Sequence, residues 1–432
     1  MSDIKNEHIY DVIVIGGGAS GMMAASVAAS SGSDVLLLEK NRKLGSKLAI
    51  TGGGRCNITN AEHDVRSLLS NYGEADKFLF SAFSRFGVQD TLDYFESRGL
   101  PIKIEGRKRA FPLSESAHDV VNLLVQELDK TGVTVLKNAD VQSIFAAGSE
   151  IKYIKMDSKR LRAKQYILAT GGTSRPETGS TGDGFKWLKS MGHKVNAPTP
   201  NITPLSVKES WVAKISGTVA KNIQVTFMGS SSKFSVTGNV LFTHFGISGP
   251  TVLNNAYRVA ELLEEGSVRA QVNLLPHLSF KELDTQILAV LNENGAKQLK
   301  NTLKAIAPEG TARAVAAAIG NQIDLETKNS EVGKSARMIL HKTLRALPLT
   351  IDRLMGFDKA VVANGGVDLI DIDTKSMRSR KISNLLITGD LLDINRPSGG
   401  YSLQLCWTTG HLAGINSAPT EADVLSRVRG SH

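Results

Sequence analysis

The sequence has 432 residues, of which 41% are hydrophobic and 22% charged, and its formal net charge is +9. This length is sufficient for two or three domains, each with its own core. The two cysteines, Cys56 and Cys406, show neither disulfide nor metal-ligand spacing, so no disulfide framework and no metal site are predicted, and a reducing, cytoplasmic location is expected.

The sequence shows no export signal and no membrane span. Its longest apolar run begins at Val12, but glycines and serines interrupt it, and Glu7 and Asp11 precede it, where a signal peptide would be positively charged. The positive net charge favours anionic partners such as dinucleotides, phosphorylated substrates or RNA, without selecting among them. Basic groups occur at 107–109, 159–164 and 378–381, where a solvated basic surface is the simpler interpretation.

The N-terminal third alternates β-branched strands with helical patterns, which is typical of a parallel sheet covered by helices. Strands are predicted at 11–15 and 34–39, with an Ala-rich helix at 21–31 between them. These three segments form one βαβ unit. The segments that continue the same fold are a helix near 118–130 and strands at 133–137 and 165–170.

After about residue 193 the pattern changes to short alternating segments, and antiparallel strands of a small sheet or barrel are predicted at 222–229 and 233–243. Residues 279 to about 347 have a helical pattern. A strand at 384–390 and a helix at 402–414 then restore the first pattern, so the first domain is predicted to be discontinuous. The predicted domains are 1–193 plus 360–432, a β-rich insertion at 194–278 plus about 346–359, and a helical subdomain at 279–345.

Gly16, Gly18 and Gly21 form a G-x-G-x-x-G motif that follows the first strand and opens the first helix. The first glycine permits the tight turn, the second lets the backbone approach a pyrophosphate, and the third lets the helix pack on the strand. Glu39, at the end of the second strand, can accept hydrogen bonds from ribose hydroxyls. The motif predicts dinucleotide binding. Because Glu39 would repel a 2′-phosphate, FAD and NAD remain as candidates.

Other ligand and nucleophile motifs are absent from the sequence. Lys328 stands five residues before Gly333, where a P-loop requires glycine. The sequence contains neither a G-x-S-x-G nucleophile elbow nor an H-E-x-x-H zinc motif. NTPase and hydrolase functions are therefore not supported.

Four segments, 11–21, 45–60, 169–185 and 388–414, resemble the HI0933-like (BaiN/RdsA-type) flavoproteins, and residues 241–253 do so as well. The likeness extends over essentially the whole chain. It implies an α/β fold with a discontinuous, Rossmann-like FAD-binding domain, an inserted β-rich subdomain and a helical subdomain. It also implies that FAD is the cofactor.

The resemblance assigns cofactor contacts along the chain, from the pyrophosphate turn to the isoalloxazine ring beside Gly399 to Tyr401. The predicted cofactor-binding residues are Gly16, Gly18, Ala19, Ser20, Gly21, Glu39, Lys40, Lys47, Thr51, Gly52, Arg55, Cys56, Asn57, Thr170, Gly171, Gly389, Asp390, Gly399, Gly400 and Tyr401. Arg55, Cys56 and Tyr401 are also candidates for catalysis, and His244 is a further one. Cys56 either donates a proton or packs, and packing is favoured. Arg396 is expected to alter the approach of the substrate.

The resemblance implies an FAD-dependent oxidoreductase that takes electrons from NADH or NADPH. The expected reaction is reduction of uridine to dihydrouridine in 23S ribosomal RNA, which the net charge of +9 favours because phosphate contacts supply most nonspecific nucleic-acid affinity. Two alternatives stay open. One is a reductase or oxidase of a small molecule such as a steroid-like enone or an amine, and the other is a non-catalytic, flavin-containing RNA-binding factor. The sequence leaves the oligomeric state open.

Overall fold

The computed structural model describes residues 8–418. The described chain divides into two compact units, which we call unit 1 (residues 8–199 and 362–418) and unit 2 (Pro200–Val361). Unit 1 is therefore discontinuous in sequence.

The strands are, in chain order, β1 (Ile9–Ile15), β2 (Val35–Glu39), β3 (Thr59–Asn60), β4 (Ile102–Glu105), β5 (Arg109–Pro112), β6 (Thr134–Lys137), β7 (Ser143–Ala147), β8 (Glu150–Met156), β9 (Lys159–Leu168), β10 (Val195–Ile202), β11 (Leu205–Val207), β12 (Val219–Met228), β13 (Lys233–Phe242), β14 (Gly246–Ser248), β15 (Val268–Asn273), β16 (Leu347–Leu354), β17 (Val362–Val367) and β18 (Leu385–Ile387). The helices are α1 (Ala19–Ser30), α2 (Val65–Leu69), α3 (Asp76–Arg85), α4 (Val88–Glu96), α5 (Ala117–Lys130), α6 (Asp183–Ser190), α7 (Pro250–Leu253), α8 (Ala256–Glu264), α9 (Phe280–Glu293), α10 (Leu299–Ile306), α11 (Ala312–Ile319), α12 (Lys334–Arg345) and α13 (Tyr401–Ser417).

Unit 1 is built on a sheet whose described strands have the order β6-β2-β1-β9-β8-β7, with β18 beside the C-terminal half of β9. Strands β6, β2, β1, β9 and β18 are parallel, whereas β8 and β7 are antiparallel additions. Strand β2 lies on one side of β1 and β9 lies on the other. Because the strand order reverses at this point, a ligand crevice is expected at the carboxyl ends of β1 and β9.

Helices α1 and α13 pack closely against each other through two glycines. A Cβ atom on Gly410 would lie 2.5 Å from the carbonyl oxygen of Ser20, and one on Gly414 would lie 2.7 Å from that of Ala24. Any side chain at these positions would push the helices apart. This contact joins the N-terminal glycine motif to the C-terminal Gly-rich segment, although the two lie at opposite ends of the sequence.

Two smaller sheets complete the strands of unit 1. The antiparallel sheet β3-β5-β4 carries the turn at residues 106–108. Strands β10 and β17 form a two-stranded sheet.

Unit 2 contains a closed antiparallel barrel in which the described strands follow the order β11-β14-β13-β12-β15-β16. Its strands alternate between buried and exposed residues, as β15 shows with Val268, Ala270 and Val272 inside. Helices α9 to α12 contribute Leu283, Leu303 and other residues to the same hydrophobic core.

The predicted fold class is confirmed: a discontinuous Rossmann-type domain is combined with a β-barrel and helices. The helices predicted at 21–31 and 118–130 correspond to α1 and α5, and the helical segment after residue 279 contains α9 to α12. The finer domain boundaries stay a prediction. Between residues 8 and 418, no helix is both long enough and apolar enough to cross a lipid bilayer.

Candidate functional site

The three motif glycines differ in what a side chain would meet. Gly16 has a left-handed φ of +110°, and a Cβ there would lie 2.4 Å from the carbonyl oxygen of Ala169. A Cβ on Gly21 would lie 1.8 Å from the carbonyl oxygen of Gly16. Gly18, by contrast, has an ordinary φ of −84°, and its Cβ would meet no atom within 4 Å. The packing of the protein therefore requires Gly16 and Gly21, whereas Gly18 faces open space above the turn.

This open space adjoins the N-terminus of α1. The N-cap residue is Gly18, which has no side chain that could cap the helix. The first turn of α1 contains no acidic residue. The N-terminus of α13 has the same two properties, and it follows Gly400 at a φ of +104°. Free amide groups and a positive helix dipole favour negative charge at such ends. Both helices are thus suited to bind anionic parts of a ligand.

Glu39 closes the glycine turn from the end of β2. Its two carboxylate oxygens accept hydrogen bonds from the backbone N–H groups of Gly17 and Asn41, both at 2.8 Å. A carboxylate oxygen has two lone pairs, so each oxygen can still accept a ligand hydroxyl. The sequence predicted only the ribose contact. The structure shows that Glu39 also fixes the shape of the turn.

Lys47, Asp390 and Arg396 form a charge cluster in unit 1. Lys47 Nζ lies 2.9 Å from Asp390 Oδ2 and 2.7 Å from the hydroxyl of Ser174. Arg396 donates a hydrogen bond to the other Asp390 oxygen. Burial alone would raise the pKa of Asp390, but the charges of Lys47 and Arg396 outweigh burial and hold this pKa well below its usual range.

Arg396 is buried within unit 1. Its side chain is 1% exposed, and besides Asp390 it donates to the carbonyl oxygen of Ile394 and the hydroxyl of Ser402. The guanidinium therefore holds the segment before α13 together, and its effect on the approach of the substrate stays a prediction. The signal that could have indicated this role is a charged residue inside a Gly- and Pro-rich segment that was assigned to the cofactor.

Residues 48–57 form a turn that contains three consecutive glycines, at 52–54, and the buried thiol of Cys56. The hydroxyl of Thr51 donates to the carbonyl oxygen of Leu48, and Gly52 has a φ of +58°. Cys56 is fully buried, and burial raises the pKa of its thiol to about 12. A thiol in these surroundings is protonated and inert, so the structure favours packing over proton donation.

Asn57 connects this turn to α13. Its side-chain oxygen accepts from the backbone N–H of Gly400 at 3.0 Å, while its nitrogen donates to the carbonyl oxygens of Thr59 and Ala110. A Cβ on Gly400 would lie 2.3 Å from the carbonyl carbon of Thr59. The two predicted flavin segments, 47–57 and 399–401, are thus brought together.

Arg55 and Tyr401 differ in their environment. Arg55 pairs with Glu105 and Glu115, and its guanidinium lies 4.1 Å from the ring centre of Phe111. Tyr401 packs edge-to-face on Tyr72, whose hydroxyl donates to the Tyr401 carbonyl oxygen. Burial raises the pKa of Tyr401. Its phenol is therefore protonated at neutral pH, whereas Arg55 is occupied by ion pairs.

The remaining predicted residues line the same edge of the sheet. Lys40 Nζ contacts the hydroxyl of Thr181 at 2.5 Å and a carboxylate oxygen of Asp183 at 3.1 Å. The backbone N–H of Gly389 donates to the Thr409 hydroxyl at 3.0 Å. Thr170 and Gly171 follow β9, where Thr170 lies beside Gly16 and Gly171 lies beside Ser180. His244 belongs to unit 2, where it is exposed on the turn between β13 and β14.

Comparison with known proteins gives a consistent result. The profile described as HI0933-like protein Rossmann domain matches residues 10–416. The chain is 32% identical over 387 residues to the 3-dehydro-bile acid delta(4,6)-reductase of Clostridium scindens, covering 89% of this chain and 93% of that protein. It is 28% identical over 402 residues to the ribosomal RNA dihydrouridine synthase of Escherichia coli, covering 93% of this chain and 96% of the relative.

Among solved structures, the chain resembles the 3-ketosteroid-delta4-(5alpha)-dehydrogenase of Rhodococcus jostii. The TM-score is 0.55 with 14% identity, and the match covers 96% of this chain and 98% of the other. At this identity the likeness concerns the fold alone. Because the family profile spans nearly the whole described chain, the protein belongs to the HI0933-like family of Rossmann-domain, FAD-dependent oxidoreductases.

Proposed function

We propose that this protein is an FAD-dependent reductase that adds hydride to a carbon–carbon double bond conjugated with a carbonyl group. The observation that carries the proposal is the open space at Gly18, at the uncapped N-terminus of α1, next to the turn that Glu39 holds through Gly17. Gly18 has neither a left-handed φ nor a close contact that requires glycine, and it is the position of the G-x-G-x-x-G motif at which the backbone approaches a pyrophosphate. A dinucleotide pyrophosphate fits this space.

We assign the residues around the crevice to the parts of FAD in order. Amide groups of Gly18, Ala19 and Ser20 would bind the pyrophosphate, Glu39 the adenosine ribose, and Gly399 to Tyr401 the isoalloxazine ring. When bound, FAD supplies hydride transfer between an electron donor and the acceptor. We propose NADH or NADPH as the electron donor.

The chain itself contributes electrostatics and a proton. The α13 N-terminus would stabilise negative charge on the neighbouring ring through its dipole. Tyr401 is the first residue of α13, and its side chain is only partly buried, so the phenol would be accessible to an acceptor beside the ring. A protonated group at this point can donate the proton that saturation of a double bond requires. Cys56 is too deeply buried for this role.

The acceptor we propose is uridine in 23S ribosomal RNA, which is reduced to dihydrouridine. The net charge of +9 supports an RNA substrate, as does the name of the relative from Escherichia coli. A steroid-like enone is the second candidate, supported by the 32% identical bile-acid reductase. Both reactions saturate a double bond next to a carbonyl group, so one site chemistry serves either acceptor.

The test starts with the flavin. Heat-released cofactor from the purified holoprotein should be identified as FAD by chromatography. Oxidation of NADH or NADPH should then depend on either a uridine-containing 23S RNA fragment or a 3-oxo-4,6-diene steroid, with the saturated product seen by mass spectrometry. Holoprotein that binds RNA but consumes no reductant with either acceptor would instead support a non-catalytic RNA-binding factor.

A further inference from the structure

The turn between β4 and β5 carries two basic residues next to the segment that we assign to the flavin ring. The Asn60 side-chain nitrogen donates to the carbonyl oxygen of Arg107 at 3.1 Å and to that of Gly399 at 3.2 Å. The backbone N–H of Ala61 donates to the carbonyl oxygen of Lys108 at 2.6 Å. These bonds hold the turn in a fixed place beside Gly399.

The carboxylates around this turn form ion pairs with neighbouring lysine and arginine side chains. The ion pairs are Lys108–Glu62, Arg55–Glu105, Arg55–Glu115 and Lys103–Glu115. Arg109 lies 3.8 Å from Glu105. In the part of the chain that the structure describes, Arg107 makes no ion pair, and its side chain is exposed. It is therefore a cation available to a ligand.

The backbone at this position is unusual for residues with side chains. Arg107 and Lys108 have left-handed φ values of +63° and +56°. A Cβ atom disfavours this conformation, which glycine or asparagine adopts more readily. Non-glycine residues in this region concentrate at ligand sites. The strained backbone thus adds a second observation to the free charge of Arg107.

We propose that Arg107 forms an anion subsite at the edge of the flavin site, which binds a carboxylate or phosphodiester group of the substrate. The subsite rests on the proposed function, because it is placed relative to the flavin segment Gly399 to Tyr401. A guanidinium group pairs with either anion through two parallel hydrogen bonds. Both acceptor classes carry such a group, since a bile acid has a carboxylate and RNA has phosphodiesters.

Two variants separate the charge from the backbone. Arg107→Gly suits the left-handed φ and removes the cation, whereas Arg107→Lys keeps the positive charge but loses the planar fork. Lys155→Ala, at an exposed lysine on β8, is the matched control. The holoenzymes are assayed with a 3-oxo-4-ene steroid carboxylic acid against its methyl ester, and with a uridine oligoribonucleotide against uridine.

Arg107→Gly should lower kcat/KM about tenfold for the anionic member of one pair, because a hydrogen-bonded charge is lost. For the neutral member of that pair, kcat/KM should change less than twofold. Arg107→Lys should have a kcat/KM between those of Arg107→Gly and the wild type, and Lys155→Ala should have the wild-type value. Flavin content should be equal in all four proteins. The pair that responds identifies the source of the anion.

Equal losses on charged and neutral acceptors, or no loss on either pair, would overturn the subsite. If the wild type turns over neither pair, the proposed function fails separately. Calorimetric titration of the steroid carboxylate into wild-type and Arg107→Gly holoprotein then decides the subsite. Weaker binding by Arg107→Gly supports it, and unchanged binding contradicts it.

Discussion

The guanidinium of Arg396 donates a hydrogen bond to the carboxylate of Asp390, six residues earlier in the chain, and the Arg396 side chain is fully buried. Lys47, which is distant in sequence, contacts the other oxygen of the same carboxylate. The three charges connect the 45–60 segment to the segment before α13. They therefore fix two of the predicted flavin-binding segments relative to each other.

Arg396→Met should lower the free energy of unfolding by about 3 kcal/mol, because it leaves a buried carboxylate with one partner fewer. In the double variant Arg396→Met/Asp390→Asn, the loss should be smaller than the sum of the single losses by more than about 1 kcal/mol. Urea denaturation of the three variants measures this coupling. Lys300→Ala, which breaks the exposed Lys300–Glu326 pair, should cost less than about 1 kcal/mol. Additive losses at Arg396 and Asp390 would contradict the contact.

Gly18 and Gly21 should respond differently to substitution. Gly18→Val should purify folded but colourless, because its side chain would occupy the space of the pyrophosphate. Gly21→Ala should fail to fold stably, because its Cβ would lie 1.8 Å from the carbonyl oxygen of Gly16. Far-ultraviolet circular dichroism and the ratio of flavin to protein absorbance separate the two effects. A yellow Gly18→Val protein with full flavin content would show that the turn is assigned wrongly.

Cys56 should be dispensable for catalysis. Its thiol is buried, and its pKa is raised to about 12 by burial, so it is neither a nucleophile nor a ready proton donor. Cys56→Ala should keep kcat within about threefold, whereas Tyr401→Phe should lower it by about a hundredfold if its phenol donates the proton. Both proteins must carry equal flavin for the comparison. A Cys56→Ala holoprotein that has lost its activity would contradict this prediction and would indicate that Cys56 takes part in catalysis.

His411 should make stability depend on pH. Its ring stacks on Phe86 at 4.1 Å, its Nδ1 has no hydrogen-bond partner among residues 8–418, and burial lowers its pKa to about 4. Between that value and the ordinary value near 6.5, the unfolded chain binds a proton that the folded protein does not. Stability is therefore lost as pH falls through this window.

The measurement compares wild type with His411→Phe, in which the stacked ring remains but the titration is removed. From pH 7 to pH 5 the wild type should lose about 2 kcal/mol more of its unfolding free energy than the variant. Parallel pH profiles in urea denaturation would show that His411 does not titrate as described.

The sequence predicted those parts of the protein that depend on local pattern. The helix after Gly18 and the strand before Glu39 follow from hydrophobic periodicity and from the glycine spacing. The sequence left open whether the strands of unit 2 form a small sheet or a barrel, because the barrel is closed by β16, which follows four helices and pairs with β15 and β11.

The contacts of the site escaped prediction for the same reason. Asn60 lies between Arg107 and Gly399, and Lys47 reaches Asp390, so residues far apart in sequence meet only after folding. Glycine motifs indicate where the protein backbone must approach a ligand, but they do not indicate which charged side chains surround that ligand. The burial of Arg396 was therefore missed, although the segment that contains it was assigned to the site.

We propose that the crevice at Gly18 holds FAD and that the protein uses its reduced form to deliver hydride to a conjugated double bond. Anaerobic mixing of reduced holoprotein with one equivalent of the acceptor tests this claim most directly. The visible absorbance of oxidised flavin should return in a single turnover, with one equivalent of saturated product. Flavin that remains reduced in the presence of both the uridine oligoribonucleotide and the steroid enone would contradict it.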